Sequence, residues 1–365
     1  MPTIIHAADF HLDSPFDALP PALAMERREE QRELLHRLAL TAEELRADLI
    51  LLSGDLFDGS DAYLETAQTL LRALSNIRAN IFIAPGNHDY WSSRSPYAAL
   101  SWPDNVHIFH TAGIESVPIP ECGCVVHGAA FTSPFRDDCP LKGFHAPEDG
   151  NVHIMVLHGD MGKHSRYCPI DPVDVAASGL HYLALGHVHA RSPVGHEGPT
   201  AWAYPGCPEG RGFDELGEKG ILAGTILTSG VNLRFIPLCK RRYEILTIPL
   251  SGNNPPEDQL LAALPRDAVQ DIYRLLLTGE SGAEGLDLPA LHTAAAPFFY
   301  SVALYDQTRI RRDLWARADE DTLTGLFLQQ LRTRWESALD ADRTIIEDAV
   351  RFGLAALENG EDYRP

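Results

Sequence analysis

The sequence predicts an α/β protein in which two sheets pack together, followed by a smaller α+β domain at the C-terminal end. Three observations lead to this prediction: short apolar runs bounded by Gly, Pro or polar residues, amphipathic stretches between the first of these runs, and a Ser/Gly/Asn/Pro stretch at residues 251–256. Alternation of strands and helices favours a layered α/β sheet. At roughly 100–200 residues per domain, 365 residues are enough for two domains. We place these at residues 1–250 and 259–365.

The first part of the chain supplies the strands and helices of the first sheet. Apolar runs that end in polar residues are predicted as buried strands at residues 3–8, 48–52, 80–84, 152–157 and 182–185. Leucines at helical spacing among charged residues predict helices at 25–46 and 61–78. In such folds ligands bind at the carboxyl ends of the strands, which is where the polar residues fall.

Later segments predict a second sheet and the C-terminal domain. Alternating runs predict antiparallel strands at residues 106–109, 117–119, 124–131, 200–204, 220–227 and 233–238. Beyond the linker at 251–256 come strands at 272–277 and 298–305 and helices at 321–335 and 342–357. The last group predicts an α+β domain.

Five short motifs carry metal-binding chemistry. In chain order they are Asp9-x-His11, Gly54-Asp55, Gly86-Asn87-His88-Asp89, His158 and Gly186-His187-x-His189. Each motif alone is typical of a turn or a structural histidine, whereas the ordered set indicates a shared site. Two carboxylates, four imidazoles and one amide are ligands for Mn²⁺, Fe²⁺ or Zn²⁺ rather than Ca²⁺, and manganese is the favoured ion. The set is large enough for two divalent ions, which would clamp a phosphate and generate a hydroxide nucleophile.

Several neighbouring residues are candidates for substrate chemistry. His88 is predicted as a catalytic residue that contacts phosphate or protonates the leaving group, and Asp89 as the group that orients its imidazole. Tyr90 and Trp91 follow directly and are candidates for stacking on a base or for packing a loop. Further candidates for substrate contacts are Arg94, His164 and Arg166.

The complete motif set, across residues 9–189, resembles the calcineurin-like metallophosphoesterase superfamily. The resemblance implies a four-layer α/β/β/α sandwich, with His88 as the catalytic histidine. It also implies that one metal is held by Asp9, His11, Asp55 and His189, and the other by Asp55, Asn87, His158 and His187, with Asp55 as the bridge.

Additional stretches are similar to the SbcD/YhaO-type branch of DNA repair exonucleases. They lie at residues 6–16, 54–58, 185–189, 204–206, 210–213 and 217–220. This resemblance implies a DNA exonuclease or endonuclease that works with a coiled-coil ATPase of the SbcC type, docked on a C-terminal cap. We expect a stripe at Leu323, Leu326, Leu328, Leu331 and Trp335 to dock the ATPase, or else to close the core of the cap. Nucleases of the group often have histidine where Asp58 stands, and we expect Asp58 instead to support a metal ligand.

The charged composition of the chain limits how it can bind nucleic acid. Thirty Lys and Arg against 51 Asp and Glu give a net charge of −21, which excludes a large basic face for nucleic acid. We therefore expect the isolated chain to bind DNA weakly and a partner to supply basic surface; a homodimer is a further expectation. No apolar run is long enough for a membrane span, no secretory signal is visible, and the six cysteines lack a C-x-x-C pair, so we expect a cytoplasmic location.

Two other classes of function stay open beside the nuclease. One is a phosphatase or nucleotide hydrolase that uses the same metals on a small phosphomonoester or pyrophosphate. The other is a catalytically minor assembly subunit of an ATPase–nuclease complex. The complete ligand set with His88 disfavours the assembly subunit, since a pure scaffold has no need to keep all seven ligands.

Overall fold

A computed structural model gives the fold and describes residues 2–16, 19–59, 63–162, 165–251, 254–282, 285–310 and 314–359. Short 3-10 turns lie at Pro120–Cys122 and Ala296–Phe298. The helices and strands, in chain order, are β1 (Thr3–Ala7), α1 (Pro21–Leu45), β2 (Leu49–Leu52), α2 (Leu64–Ser75), β3 (Asn80–Ile83), α3 (Pro96–Ala99), β4 (Val106–Ile108), β5 (Glu115–Ile119), β6 (Cys124–Gly128), β7 (Val152–His158), β8 (Asp160–Met161), β9 (Pro169–Ile170), α4 (Pro172–Ala177), β10 (Tyr182–Gly186), β11 (Gly195–Glu197), β12 (Thr200–Ala203), β13 (Gly220–Leu227), β14 (Gly230–Pro237), β15 (Tyr243–Leu250), α5 (Pro256–Ala263), β16 (Ile272–Ser281), α6 (Leu288–Ala295), β17 (Ser301–Asp306), β18 (Arg309–Ile310), α7 (Leu323–Ser337) and α8 (Asp340–Asn359).

Two mixed sheets pack face to face and are flanked by helices. The first has the strand order β14-β13-β1-β2-β3-β4 and the second β11-β12-β10-β7-β6-β5. Alternate residues of β1 point to opposite faces: Ile4 lies in the core between the sheets, and Ile5 lies in the core beneath α1 and α2. A third apolar core, which includes Val175 of α4, covers the outer face of the second sheet. The predicted sandwich of two sheets flanked by helices is therefore confirmed. The predicted division of strands is wrong in part, because β7 and β10 lie in the second sheet and β4, β13 and β14 lie in the first.

Three strands that the sequence predicted as antiparallel have parallel neighbours, although β6 and β12 each have an antiparallel neighbour as well. β4 pairs in parallel with β3, β6 with β7, and β12 with β10. The antiparallel pairs are β1–β13, β5–β6, β11–β12 and β13–β14. An apolar run reports burial of a strand but not its direction, which depends on how the connecting segment crosses the sheet.

The C-terminal region contributes a third sheet and helices. The sheet order is β15-β16-β17, and β18 pairs in parallel with β16. β17 begins at Ser301 rather than at residue 298, because residues 296–298 form a 3-10 turn. The chain divides into two compact units: one contains the described residues up to 246 with 265–274 and 296–303, and the other contains 247–264, 275–295 and those from 304 onward.

The apolar stripe of α7 is divided between a core and the surface. Leu328 is 1% exposed and packs with Leu331 and Val350 in a small core of the second unit. Leu323 and Leu326 are 71% and 57% exposed. Part of the stripe therefore closes the core of its own unit, and docking of a partner on the remainder stays a prediction.

The described helices include none with the length and apolar character needed to cross a bilayer. The six cysteines all lie within the described residues, and none of them forms a disulfide. The C-x-C pair, Cys122 and Cys124, lies at the start of β6, where Cys124 is buried in the core between the sheets.

A buried histidine in β1 is hydrogen-bonded as a neutral ring. His6 Nε2 lies 3.1 Å from the Leu185 carbonyl oxygen, which only accepts, so this nitrogen donates. Nδ1 then accepts the Tyr182 hydroxyl at 2.8 Å. Burial lowers the pKa of His6 from 6.5 to about 3, although the Leu185 carbonyl opposes the shift. A proton added at Nδ1 would break the bond from Tyr182.

This burial predicts a loss of stability in acid. The unfolded chain binds a proton at His6 below pH 6.5 and the folded protein only near pH 3, so the contribution of His6 is complete above pH 6.5 and declines as the pH falls between these values. In metal-free protein, the free energy of unfolding should fall more steeply below pH 6.5 in the wild type than in His6→Gln, by up to about 1.4 kcal/mol per pH unit. Urea titrations at several pH values measure the two slopes. Parallel slopes would contradict a neutral buried His6.

Candidate metal centre

The five motifs meet at one end of the two sheets. Asp9 and His11 follow β1, Asp55 follows β2, His158 ends β7, and His187 follows β10. Backbone hydrogen bonds tie these loops together: the Asp9 amide donates to the Gly54 carbonyl and the His11 amide to the Asp55 carbonyl, each at 3.0 Å. The His187 amide in turn donates to both carboxylate oxygens of Asp9, at 3.1 and 3.2 Å. The structure therefore brings together residues from both sheets.

The loops that carry the ligands have an unusual backbone. Asp9, His11, Asp55 and His187 have φ values of 55°, 45°, 50° and 108°, which side-chain-bearing residues rarely adopt. Gly86 lies against Asp55 so closely that a Cβ there would overlap the carboxylate. Non-glycine residues at positive φ cluster at functional sites, where the surrounding hydrogen bonds hold them. This set of loops is therefore shaped for its ligands.

His11 and His189 form the first group of ligands, together with Asp9. The Nε2 atoms of the two imidazoles lie only 3.2 Å apart, and ligand atoms of all three residues lie within 4.8 Å of one another. On the far side of each ring, Nδ1 donates to a carboxylate: His11 to Asp58 at 2.9 Å and His189 to Glu215 at 2.7 Å. In each neutral ring, Nε2 therefore keeps its lone pair, and the two lone pairs face each other. A cation between them fits this arrangement.

The second group of ligands converges on Asp55 and Asn87. His158 Nε2 lies 3.4 Å from Asp55 Oδ2 and 2.9 Å from Asn87 Oδ1, and His187 Nδ1 lies 3.2 Å from the same amide oxygen. His158 Nδ1 donates to the Ser53 carbonyl at 2.9 Å, so Nε2 is the atom directed at the site. Asp55 Oδ2 also lies 3.8 Å from His11 Nε2 of the first group. Asp55 is therefore the carboxylate shared by both groups, and the residues fit two divalent ions.

Burial and neighbouring charges shift the pKa values of the residues at the site. Burial, together with the nearby Asp55 carboxylate, raises the pKa of Asp9 to about 7. Burial lowers the pKa of His11 to about 4, although Asp58 opposes this. Burial also opposes a charge on His158, but Asp55 raises its pKa to about 9. Metal binding requires these groups without their protons, so loading the site releases protons.

Asp89 has a different position from the one predicted. Its fully buried carboxylate accepts backbone amides from Asp55, Leu56 and Phe57 of the loop after β2, at 3.2, 2.7 and 3.3 Å. It also accepts the Gly86 amide at 2.7 Å and the Tyr97 hydroxyl at 2.5 Å. The prediction that Asp89 orients the His88 imidazole is therefore wrong: its oxygens are turned inward to these donors, and Asp89 anchors two ligand loops to each other.

His88 is exposed at the mouth of the site. Its amide donates to Asp55 Oδ1 at 2.9 Å, and its Nδ1 donates to the Asp58 carbonyl oxygen at 3.1 Å. The ring packs edge-on against His11, with centroids 4.8 Å apart. Nε2 of His88 is thus left free for a substrate.

The four candidates for substrate contacts have different environments. Tyr90 is half-buried against the core on the outer face of the second sheet, and Arg94 is exposed. Trp91, named with Tyr90 as a stacking candidate, is half-buried against the core beneath α1 and α2. Arg166 is exposed and lies over the ring of Phe135. His164 lies outside the described residues.

Sequence reasoning missed two residues that support the first ligand group. Glu215 accepts the proton of His189 Nδ1, and Arg211 binds both Glu215 Oε1, at 2.7 Å, and Asp58 Oδ1, at 3.2 Å. Although burial opposes it, the hydrogen bonds from His189 and Arg211 hold the pKa of Glu215 well below its usual range. Asp58, which we expected to support a ligand, contacts His11. Both missed residues lie in or beside the stretch at 210–220 that contributed to the branch resemblance, which was the available signal.

Comparison with known proteins gives a consistent picture. The profile of the family described as calcineurin-like phosphoesterase matches residues 2–191. The chain is 30% identical over 256 residues to the "uncharacterized metallophosphoesterase YhaO" of Bacillus subtilis (strain 168), a match that covers 67% of this chain and 61% of that protein. It is 26% identical over 237 residues to the "DNA double-strand break repair protein Mre11" of Aeropyrum pernix, covering 60% of this chain and 56% of that one. The matches span about three fifths of the length of these relatives.

Among solved structures, the chain is similar to TT1561 of Thermus thermophilus. The two share 14% identity with a TM-score of 0.40, and the match covers 65% of this chain and 99% of the other.

The anchoring role of Asp89 predicts a loss of stability on substitution. Asp89→Asn puts an amide NH₂ among amide and hydroxyl donors, so we expect the free energy of unfolding of the metal-free protein to fall by about 3 kcal/mol. Tyr97→Phe removes one donor and should cost about 1 kcal/mol. Urea titration measures both changes. If Asp89→Asn kept wild-type stability and lost only activity, the anchoring role would be wrong.

The contact between Glu215 and His189 predicts a selective loss of metal. Glu215→Gln weakens the acceptor that fixes the His189 ring, so one of two Mn²⁺ ions should bind about 10–100-fold more weakly. Calorimetric titration of metal-free protein measures the two affinities. The matched control is Glu218→Gln, at an exposed position three residues along the chain, which should bind both ions as the wild type does. Unchanged binding of both ions in Glu215→Gln would contradict the assignment.

Proposed function

Since the chain belongs to the calcineurin-like phosphoesterase family, we propose that it is a two-metal phosphodiesterase that cleaves DNA. One observation carries the proposal: Asp55 lies between two groups of candidate ligands, 3.4 Å from His158 Nε2 of its own group and 3.8 Å from His11 Nε2 of the other, and the exposed His88 lies beside it. A shared carboxylate is what a pair of ions needs to act on one phosphate. The exposed position of His88 leaves the approach of a large substrate open.

Different residues of the chain have different roles in the proposed reaction. Two divalent ions held by the seven ligands supply Lewis acidity and neutralise charge on a phosphate group. His88 acts as the proton donor: the Asp58 carbonyl binds the Nδ1–H and directs Nε2 to the substrate, and the doubly protonated ring gives its Nε2 proton to the leaving oxygen. The buried anchor of Asp89 keeps the His88 turn beside Asp55. Asp58, Arg211 and Glu215 keep the two imidazoles of the first group in orientation.

We propose DNA as the substrate for two reasons, the name of one relative and the open approach to the site. One relative is named a DNA double-strand break repair protein, although the match covers 56% of it. The net charge of −21 opposes tight binding of a polyanion, so we propose that the chain alone binds DNA weakly. A partner, such as a coiled-coil ATPase of the SbcC type or a second copy of this chain, would supply further binding surface. Nitrogen and oxygen donors without thiolate suit manganese, with iron or zinc as alternatives.

The acidic charge favours a second candidate function, a phosphatase or nucleotide hydrolase. A small phosphomonoester or pyrophosphate needs no extended basic surface, and the same ions would bind it. An assembly subunit with little activity of its own is a third candidate. Substrate comparison separates the three.

The test is an assay of the Mn²⁺-loaded chain on labelled single- and double-stranded DNA, p-nitrophenyl phosphate and bis(p-nitrophenyl) phosphate. We expect cleavage of DNA and of the diester, and a loss of about 10²–10⁴-fold in kcat in His88→Ala, because a general acid contributes rates of this size. Metal content measured in parallel should equal that of the wild type. Cleavage of the monoester alone would favour the phosphatase, and no cleavage by fully loaded protein would favour the assembly subunit.

A further inference from the structure

A row of rings leads from a metal ligand to the protein surface. Tyr167 packs on His187 with centroids 4.8 Å apart and ring planes 36° apart. Phe135 packs on Tyr167 at 5.7 Å and 40°, and the guanidinium carbon of Arg166 lies 4.3 Å from the centre of the Phe135 ring. We call His187, Tyr167, Phe135 and Arg166 the ring row. Its inner end belongs to the metal centre and its outer end reaches solvent.

The backbone beneath the ring row is fixed. The Arg136 amide donates to the Arg166 carbonyl at 2.9 Å, and the Cys168 amide donates to the Arg136 carbonyl at 2.7 Å. Cys168 has a φ of 53° and its side chain is buried. Ser133 Oγ donates to the Phe135 carbonyl at 2.6 Å. The two segments that carry the rings are therefore held in register before any ligand arrives.

The outer end of the ring row is accessible. Phe135 is 45% exposed, so one face of its ring is open to solvent. A cleft of about 420 Å³ runs beside it, lined also by Thr132, Ser133 and Asp137. Its volume is in the range of sites for small ligands. Phe135 thus offers an apolar surface next to a polar cleft, two ring contacts away from a metal ligand.

The cation on Phe135 is weakly held. Arg166 pairs with Asp137 at 3.6 Å, and both side chains are more than half exposed, so the pair contributes little. A cation–π contact at an exposed ring is weaker than the stacking of a nucleobase on an aromatic side chain. A base can therefore replace the guanidinium on the ring. Arg166 is then free to bind a phosphate.

We propose that the ring row is a binding site for an unpaired nucleobase next to the phosphate that is cleaved. The base stacks on Phe135, Tyr167 supports that ring from within, and Arg166 turns to the neighbouring phosphate. Only an unstacked base can present a face to Phe135, so the substrate at this point is a single strand or a frayed end. Asp137 beside the site disfavours binding through backbone phosphates alone, which makes stacking the main contribution. This inference rests on the proposed nuclease function and names the form of its substrate.

The test compares hexathymidylate with a hexamer that carries an abasic residue at each position. In the Mn²⁺-loaded wild type, the KM for hexathymidylate should be about 10-fold lower than for the abasic strand, as one stacked base predicts. Phe135→Ala should abolish this preference, Phe135→Trp should keep it, and kcat for bis(p-nitrophenyl) phosphate should stay within about 2-fold in both. Tyr63→Ala, at another exposed aromatic residue that is 70% exposed, is the matched control and should keep the preference.

Binding measured without cleavage distinguishes the two ways of failing. Fluorescence anisotropy of the labelled strands with His88→Ala protein reports the preference for bases even if the chain is no nuclease, in which case only the proposed function fails. Equal melting temperatures of wild type and Phe135→Ala show that the variant is folded. If Phe135→Ala discriminates between the two strands as the wild type does, the ring row is not a base-binding site, whatever the activity.

Discussion

The candidate metal centre depends on one fully buried carboxylate that belongs to neither group of candidate ligands. Asp89 joins the loop after β2 to the turn after β3 by accepting amides from both, including that of Asp55. These two loops carry the shared ligand Asp55, the ligand Asn87 and the exposed His88. A buried carboxylate with this many donors is stable only in one arrangement of the loops, since any donor that moves away leaves charge unsatisfied. The position of the ligands therefore follows from the anchor and is set before metal binds.

In three imidazoles of the site, the acceptor that binds Nδ1 decides which ring nitrogen keeps a lone pair. Carboxylates behind His11 and His189 and a carbonyl behind His158 take the proton of one nitrogen and leave the other as a lone pair. His88 uses a carbonyl in the same way, but its free nitrogen is exposed to solvent and not to the ligand groups. One residue type thus suits a ligand or the proposed proton donor according to what its free nitrogen faces, not according to its hydrogen-bond partner. Some of the acidic residues of the chain have a specific role at this site, since Asp58 and Glu215 orient the imidazoles that would bind cations.

The sequence was sufficient to predict the sandwich, its early strands and the set of residues that meet at the site. These features depend on burial patterns and turn residues within short segments of the chain. Strand direction in β4, β6 and β12 was not predictable, since it is decided by long connections. The contacts of Asp89 and Glu215 were missed for a similar reason: each joins segments far apart in the chain. Tyr90 followed the catalytic turn and suggested a stacking residue, yet the ring is half-buried, and exposure of a single aromatic residue such as Phe135 leaves no pattern in the sequence.

The place of β1 in its sheet has a consequence for synthesis of the protein. β1 leaves the ribosome before either of its neighbours in the sheet, β2 and β13, and β13 ends only at residue 227. At translation rates of about 5–20 residues per second, one edge of β1 waits on the order of ten seconds or more for its partner. An unpaired apolar strand edge invites pairing with other chains. The nascent chain therefore needs protection over this interval, and fragments that end before β13 cannot complete the sheet that carries the first ligands.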